Sequence, residues 1–422
     1  MRANRLGLVL ASKIDALLQQ AKKSKQAAFS LRKASSSQKR EVLCALAHHL
    51  KARKKQILEA NAADIAEAKK RKMSEEMVDR LYLNLESTIH DLLQVSQEED
   101  PIGTLLESRT LPSGISLEKV RVPIGLIGVI YESRPNVTID VAALCLMSGN
   151  AALLRGGKEC LRTNQELFHA VSLALEEAGL PEDSISFVAS PDREQIKQML
   201  KMAGTIDMII PRGGKGLHQF CQEESLIPVM TGGIGICHLY ADQSCKQEEA
   251  IEVIYNAKTQ RPAVCNALDT LLVHEAIAPS FLKKVKEHLH QVHFVCDEKA
   301  LPFLEGTLVK EGDWDTEWLS LVLGVRVVPS VDEAIAHIQK HSSGHSDGIL
   351  SENGEQIAHF LSSIDSAALY VNASTRFTDG AQFGLGAEIA VSTQKLHARG
   401  PMGLKELTTY QWIVNGNYAV RH

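Results

Sequence analysis

The 422-residue chain has eight cysteines, but none of them lies in a CxxC pair or in the dense spacing of a disulfide framework. Isolated cysteines are typical of reduced thiols in a cytoplasmic protein, and they argue against a structural zinc site. The sixteen histidines, among them His341 and His345, also follow no metal-ligand spacing, and most are expected at the surface. We therefore expect no metal centre.

The chain also lacks a strongly charged face and a long apolar segment. Its formal net charge is -5 at pH 7 and its basic residues are dispersed, which argues against a nucleic-acid surface. The amino-terminal apolar run covers only residues 6–11, too short for a signal-peptide core or a membrane span, and we expect it to begin a helix. The expected partners therefore include neither nucleic acid nor a membrane.

The chain does contain a helical lead-in followed by alternating strands and helices. Residues 13 to about 98 repeat apolar positions at helical spacing. From about residue 119, strand and helix patterns alternate through KVRVPIGLIGVIYE, TIDVAALCLMS, AALLR, LRTNQELFHAVSLALEEAG, SISFVAS, REQIKQMLKMAG, IDMIIP, GKGLHQFCQEES and IPVM. This alternation is typical of a parallel sheet covered on both faces, with a nucleotide site at the carboxyl ends of the strands.

A second strand and helix series starts near GICHLYAD and runs through EEAIEVIYNAK, LDTLLVH and VRVVPS to AALYVNA. The predicted fold class is therefore α/β with two such domains, and we place their boundary near residue 235. No linker, low-complexity tract or internal repeat marks that boundary.

Cys265 in AKTQRPAVCNA has two interpretations. An arbitrary cysteine is usually a small buried hydrophobe. Here, however, Pro262 ends the preceding helix and places Cys265 in a loop at the head of the next strand, where its sulfur can face a cleft. Lys258 and Arg261 would lower the pKa of the thiol if they lie near it, and the thiolate is the nucleophile.

Asn136 in YESRPNVTID is a candidate donor for an oxyanion, because a strand there runs into a helix. The alternative role is a helix cap before Thr138, and the two roles are compatible. Loops from two domains would then place a thiol and an amide across one cleft.

Five long motifs, in order, together resemble the gamma-glutamyl phosphate reductase family, a branch of the aldehyde dehydrogenase superfamily. They are GLIGVIYESRPN, GNAALLRGGKE, YNAKTQRPAVCNALDTLLVH, DWDTEWLSLVLGVRVV and LYVNASTRFTDGAQFGLGAEIAVSTQKLHARGPMGL. The resemblance spans nearly the full chain. It implies an aldehyde dehydrogenase-like fold of two Rossmann-like α/β domains plus a β-arm for oligomerisation.

The resemblance also implies the extent of each domain. The predicted NADP-binding domain comprises residues 1–103 and 123–235, and the catalytic thiol domain residues 236–385. The predicted arm comprises residues 104–122 and 408–422, with 386–407 as a returning segment. A homo-oligomer of at least two chains is expected, since exposed edge strands favour pairing.

The implied activity is the NADPH-dependent reduction of L-glutamyl 5-phosphate to L-glutamate 5-semialdehyde and phosphate, in proline biosynthesis. Cys265 matches the superfamily's nucleophile and Asn136 its oxyanion-hole asparagine. The thiolate would displace phosphate to leave a thioester, which hydride from NADPH converts to the aldehyde through a thiohemiacetal. Glutamate 5-kinase is an expected partner.

The resemblance places Arg155 and Lys158 near the adenosine ribose, where two cations suit a 2′-phosphate; the alternative is a solvated turn. Gly213 and Gly214 offer backbone N–H groups to a pyrophosphate or a substrate phosphate, although no GxGxxG motif is present. Glu317 matches the glutamate that holds the nicotinamide ribose.

Six loop residues are candidate ligands for the carboxylate, amine and acyl phosphate of the substrate. Ser133 and Arg134 flank the predicted oxyanion hole, and the others follow a strand in VNASTRF, namely Asn372, Ser374, Thr375 and Arg376. Ordinary loop capping is the alternative role for about half of them.

The chain departs from hydrolytic aldehyde dehydrogenases at VMTGG, where Met230 stands in place of a glutamate that activates water. A thioether has no useful basicity, so we expect a thioester that resists hydrolysis unless Glu132 or Glu388 supplies the base.

Two rival functions remain at this point. An acylating dehydrogenase that uses coenzyme A would keep Cys265 and change the acceptor. A non-catalytic nucleotide-binding protein could keep the fold, although the presence of both Cys265 and Asn136 argues against it.

Overall fold

The computed structural model describes residues 2–190, 192–232 and 234–421 of an α/β protein. Met1, Pro191 and Gly233 of the predicted NADP-binding ranges, and His422 of the predicted arm, lie outside the described residues. The helices are α1 Arg2–Leu31, α2 Ser36–Ala52, α3 Lys54–Lys70, α4 Glu75–Asp79, α5 Leu85–Gln97, α6 Val137–Met147, α7 Leu161–Glu177, α8 Glu194–Leu200, α9 Lys215–Glu224, α10 Gln247–Thr259, α11 Ala278–His288, α12 Val331–His341 and α13 Gly354–Ser363.

The strands alternate with these helices over most of the chain. They are β1 Leu105–Thr110, β2 Ser116–Pro123, β3 Leu126–Tyr131, β4 Ala151–Gly156, β5 Ile185–Phe187, β6 Met208–Arg212, β7 Cys237–Ala241, β8 Leu268–His274, β9 His293–Cys296, β10 Thr307–Leu308, β11 Val322–Val328, β12 Ser346–Leu350, β13 Ala368–Val371, β14 Ala390–Ser392, β15 Gly400–Met402 and β16 Thr408–Asn415.

The chain divides into two compact units. The first comprises Met1–Thr231, Leu385–Ala390 and Met402–His422, and the second comprises Gly232–Gly384 and Val391–Pro401. No helix among the described residues is long and apolar enough to cross a membrane.

The first unit contains a four-stranded parallel sheet in the order β5-β4-β3-β6. Strands β3 and β4 are buried along their whole length, and α6 is buried at ten of its eleven positions, because most of their side chains are apolar. Since the strands are parallel, the segments that follow β3, β4 and β6 leave the same edge of the sheet.

A three-stranded antiparallel sheet, in the order β1-β2-β16, also belongs to the first unit. It is made of the segments predicted to form the arm. Large apolar side chains of β16 are exposed there, namely Tyr410, Trp412, Ile413 and Val414.

The second unit is built on a seven-stranded parallel sheet in the order β10-β9-β11-β8-β7-β12-β13. Its core is formed by buried side chains such as Leu239, Leu271 and Val325, covered by the apolar faces of α10 and α11. The segments that precede β7, β8 and β11 approach one edge of this sheet at the amino ends of the strands.

Two predicted strands are corrected by the structure. KVRVPIGLIGVIYE is two strands in different sheets, because β2 ends at Pro123 and Gly125 has a positive φ of 134° that breaks the extended run. IPVM is not a strand and makes one isolated bridge, between Ile209 and Val229.

Candidate functional site

Cys265 lies in the loop between α10, which ends at Thr259, and β8, which begins at Leu268, as predicted from Pro262. Its side chain is half-buried, whereas the thiols of five other cysteines are buried, namely Cys145, Cys160, Cys221, Cys237 and Cys296. All eight cysteines are free. The intermediate exposure fits a reactive thiol better than a packed hydrophobe.

The backbone of Cys265 is held from β7. The thiol of Cys237 donates to the carbonyl oxygen of Cys265 at 3.2 Å. Gly235 lies so close to the same carbonyl that a Cβ at residue 235 would overlap it. Neither residue was predicted from the sequence, although the glycines of GIGIC signal a close backbone approach.

Asn266, directly after the cysteine, ties the loop to residues 374–378. The hydroxyl of Thr375 donates to the carbonyl of Asn266 at 2.7 Å, and Nδ2 of Asn266 donates to the carbonyl of Thr378 at 2.9 Å. Both Asn266 and Thr375 are buried. The predicted thiol and part of the predicted substrate segment are therefore brought together within the second unit.

Arg376 extends from that segment across the cysteine loop. Its Nε donates to Oε1 of Gln260 at 3.0 Å, and its Nη1 donates to Oδ1 of Asn266. Burial and the neighbouring Arg261 lower the pKa of Arg376, whereas Asp379 and the thiols of Cys265 and Cys237 act to raise it. Arg376 is thus an electrostatic neighbour of Cys265.

Lys258, which would lower the pKa of the thiol if it lay near it, is directed elsewhere. Its fully buried Nζ donates to the carbonyl of Leu268 at 2.8 Å and lies 3.9 Å from the carboxylate of Asp269. Burial lowers the pKa of Lys258 to about 8 and raises that of Asp269 to about 7. Asp269 also accepts from the backbone N–H of Trp318 at 3.1 Å, so the pair fixes the backbone beneath the loop.

Glu317 is placed beside the cysteine loop, next to Trp318. Its Oε1 accepts from the backbone N–H of Gly235 at 3.0 Å. Gly235 in turn packs against the carbonyl of Cys265, so Glu317 contacts the predicted nucleophile's backbone indirectly, through Gly235.

Asn136 lies in the first unit, at the start of α6, and makes no side-chain cap hydrogen bond. The capping role is therefore wrong, because its backbone is already helical and its Nδ2 donates instead to Oδ2 of Asp140 at 2.8 Å. Burial raises the pKa of Asp140 to about 7, while the Asn136 amide and Arg212 act to lower it. An amide nitrogen has two N–H groups, so this bond leaves one for another acceptor.

Arg155 and Lys158 lie at the end of β4 and just after it. Lys158 is exposed, whereas Arg155 is buried and its Nε has no hydrogen-bond partner among the described residues. Burial lowers the pKa of Arg155, with Glu159 acting to raise it. A buried, unpartnered guanidinium N–H suits an anionic ligand such as a phosphate.

Gly213 and Gly214 separate β6 from α9. Gly214 donates its N–H to the carboxylate of Glu132 at 3.3 Å, and a Cβ on Gly213 would overlap that carboxylate. The amino end of α9 can thus bind an anion, and in this structure the Glu132 carboxylate of the same unit is bound there. An anion at this end of α9 would have to displace Glu132.

The remaining substrate candidates divide by their contacts. Ser133, at φ 47°, donates from its N–H and hydroxyl to Glu159. Asn372 bridges to the backbone of Ser351 through both amide atoms, and the hydroxyl of Ser374 accepts from the N–H of Arg376. These contacts are those of loop-stabilising residues, as is the hydroxyl bond of Thr375. Arg134, by contrast, is exposed at the surface.

Histidines contribute little to this site. Among the described residues no group of three His, Cys, Asp or Glu side chains is placed to hold a metal ion. Most histidines were expected at the surface, but His345 is buried, and its Nδ1 lies 4.0 Å from the thiol of Cys237. Burial lowers its pKa to about 4.

Comparison with known proteins decides the family. Residues 6–312 match the model of the aldehyde dehydrogenase family. Over 410 residues the chain is 52% identical to the gamma-glutamyl phosphate reductase of Photobacterium profundum, which covers 95% of this chain and 98% of the relative. The chain belongs to the gamma-glutamyl phosphate reductase branch of the aldehyde dehydrogenase family.

The same family membership is evident in the fold. The crystal structure of gamma-glutamyl phosphate reductase from Thermotoga maritima superposes with a TM-score of 0.94 at 46% identity, covering 96% of this chain and all of that one. An acetylating aldehyde dehydrogenase from Geobacillus thermoglucosidasius, at 18% identity and a TM-score of 0.70, shares the fold. The predicted fold class and family are confirmed.

Enzymes of the aldehyde dehydrogenase family are pyridine-nucleotide-dependent oxidoreductases. The protein is accordingly an oxidoreductase that acts on a small molecule.

Proposed function

We propose that the protein reduces L-glutamyl 5-phosphate to L-glutamate 5-semialdehyde and phosphate with NADPH, in the biosynthesis of proline. The observation that carries this proposal is a half-buried Cys265 held in a rigid loop, in a chain half identical to reductases named for this substrate. The two cations Arg134 and Arg376 are proposed to bind the anionic groups of the substrate.

Cys265 is the proposed nucleophile. Its thiolate adds to the acyl carbon, the bond to phosphate breaks, and a thioester remains on the sulfur. NADPH, when bound, supplies the hydride that reduces this thioester. The resulting thiohemiacetal releases the aldehyde as the carbon–sulfur bond breaks, which regenerates the thiolate.

Asn136 is proposed to donate its second amide N–H to the oxyanion formed in these steps. Asp140 holds the other N–H, so the amide is oriented before the substrate binds. Preorganised donors of this kind are effective because they need no reorientation during the reaction.

The residues of the first unit are compatible with a phosphorylated dinucleotide. The unpartnered Nε of Arg155 and the exposed ammonium of Lys158 would hold the 2′-phosphate that distinguishes NADPH from NADH. Gly213 and Gly214 would offer the amino end of α9 to the pyrophosphate, with displacement of Glu132. Glu317, a residue of the second unit, is proposed to hold the nicotinamide ribose.

Three wider proposals accompany the activity. The exposed apolar side chains of β16 are proposed to pair with a second copy of the chain, because an edge of this kind is otherwise prone to aggregation. The kinase that makes glutamyl phosphate is proposed as a partner, since the acyl phosphate is reactive. A cytoplasmic location is proposed from the eight free cysteines.

The test is NADPH oxidation in a mixture of glutamate, ATP and a glutamate 5-kinase. The parent protein should oxidise NADPH only when all three are present, and Cys265→Ala should be folded and inactive. A coenzyme A enzyme would instead convert the semialdehyde with coenzyme A and without phosphate. Activity of Cys265→Ala near the parent level, or a requirement for coenzyme A, would reject the proposal.

A further inference from the structure

The loop that carries Cys265 is spanned by a guanidinium fixed at two points. Gln260, which accepts from Nε of Arg376 at 3.0 Å, lies five residues before the cysteine. Asn266, which accepts from Nη1, lies one residue after it. The guanidinium of Arg376 is therefore bonded to residues that precede and follow Cys265 in the loop.

The residues that position Arg376 are themselves held by hydrogen bonds. Asn266 is buried and is bonded through its carbonyl and its Nδ2 to the segment that carries Arg376. Ser374 caps the same short segment through its hydroxyl. The position of the guanidinium thus depends on several buried hydrogen bonds rather than on one long flexible side chain.

We propose that Arg376, positioned by Asn266 and Gln260, is the cation that holds Cys265 in its thiolate form in the free enzyme. A positive charge near a thiol favours the ionised form, and the thiolate is the nucleophile. The inference rests on the proposed role of Cys265 as nucleophile but not on the identity of the acyl substrate.

Other ionisable groups approach the loop from the elements packed around it. Lys258 from α10 and Asp269 from β8 face each other, and Glu317 accepts from Gly235. Among the described residues, further groups are Arg261 on the loop itself, Asp379 after the Arg376 segment, Cys237 on β7 with Asp347 near it, and His345 before β12.

Of the cations in this set, Arg376 is bonded to residues that precede and follow Cys265 in the loop. Lys258 is directed to Asp269 and to the carbonyl of Leu268, and Arg261 has an exposed side chain. The low pKa of His345 leaves its imidazole neutral near pH 7. An arginine, in contrast, stays charged throughout the range in which a thiol titrates.

The test follows the alkylation of Cys265 by iodoacetamide, in which the thiolate displaces iodide, between pH 5 and pH 10 and without substrate or cofactor. Peptide mass spectrometry separates Cys265 from exposed Cys44, the internal reference, and from the buried cysteines, which report unfolding. In Arg376→Ala the midpoint of alkylation should rise by about 1–2 pH units.

Two graded variants and a control separate charge from structure. Arg376→Lys should have a midpoint closer to that of the parent, because the charge is kept. Gln260→Ala removes one exposed anchor and should give a smaller shift in the same direction. Lys246→Ala, which removes an exposed cation of the same unit, should leave the midpoint unchanged.

An unchanged midpoint in folded Arg376→Ala would overturn the inference, as would equal shifts in the alanine and lysine variants. If Arg376→Ala does not fold, an unchanged midpoint in Gln260→Ala overturns it. Because no substrate is present, a protein that fails the reductase assay and still shows these shifts rejects the proposed function alone.

Discussion

The Cα of Gly235 packs directly against the carbonyl oxygen of Cys265, and no side chain fits between them. The N–H of Gly235 is at the same time bonded to Glu317 at 3.0 Å. One backbone position therefore sets both the cysteine loop and the glutamate predicted to contact the cofactor.

We expect Gly235→Ala to displace the cysteine loop, because the new Cβ would overlap a backbone atom that cannot rotate away. The variant should lose most reductase activity and about 1–3 kcal/mol of stability. Activity, thermal unfolding and Cys265 alkylation would be measured together. Gly354→Ala is the control, since a Cβ there meets nothing within 4 Å, and it should resemble the parent.

Asn136→Ala should lower turnover by roughly 10²–10³-fold if the amide donates to the oxyanion, with a smaller effect on cofactor binding. The variant also removes the hydrogen bond to the buried Asp140, so about 1–3 kcal/mol of stability should be lost and turnover must be compared in the folded fraction. Steady-state kinetics would measure the loss of turnover, and thermal unfolding would measure the loss of stability. Near-normal turnover in the variant would remove Asn136 from the catalytic set.

The partner of Asn136 predicts a pH dependence of stability. With its pKa raised to about 7, folded Asp140 retains a proton that the unfolded chain releases near pH 4. Stability should therefore fall as the pH rises from about 4 to about 7. Asp140→Asn should weaken this fall, measured as the thermal midpoint at pH 5 and pH 7.5, whereas the exposed Asp79→Asn should not. An equal change in thermal midpoint between pH 5 and pH 7.5 in all three proteins would contradict the attribution of this pH dependence to Asp140.

The parts of the fold that the sequence predicted are those controlled by local pattern. Strands β4 and β8 and helices α6 and α7 were found in the predicted segments, because long apolar runs and helical periodicity determine such elements. The break at Pro123 and Gly125 was missed because the same residues also suit a continuous apolar strand.

The site was predicted only as separate loops. Asn266 and Thr375 are 109 residues apart in sequence, and no local pattern reports their hydrogen bond. Lys258 is close to Cys265 in sequence, which left a contact with the thiol open. In the structure Lys258 is buried and lies next to Asp269 instead. Contacts between distant segments decide which charges act on a thiol.

Cofactor preference should depend on Arg155 and Lys158. Neutralising both, as Arg155→Gln with Lys158→Gln, should reduce kcat/KM for NADPH far more than for NADH, because only NADPH carries the 2′-phosphate. Lys158→Gln alone keeps the buried Arg155 and should show the same selective loss to a smaller degree. Equal losses with both cofactors would exclude these residues from the 2′-phosphate site, and Lys54→Gln serves as a surface control.

Met230 predicts how the proposed thioester on Cys265 is released when the reaction runs backwards. Its side chain is buried and carries a thioether, which cannot activate water as a glutamate does. With semialdehyde and NADP, we expect at most one NADPH per active site until phosphate is added, and sustained turnover afterwards, because phosphate then accepts the acyl group. Sulfate at the same ionic strength should not substitute for phosphate.

Glu132, which is bonded to Gly214, and Glu388 are the alternative bases. Steady NADPH formation without phosphate, together with free glutamate, would show that one of them activates water and would reject the reductase mechanism.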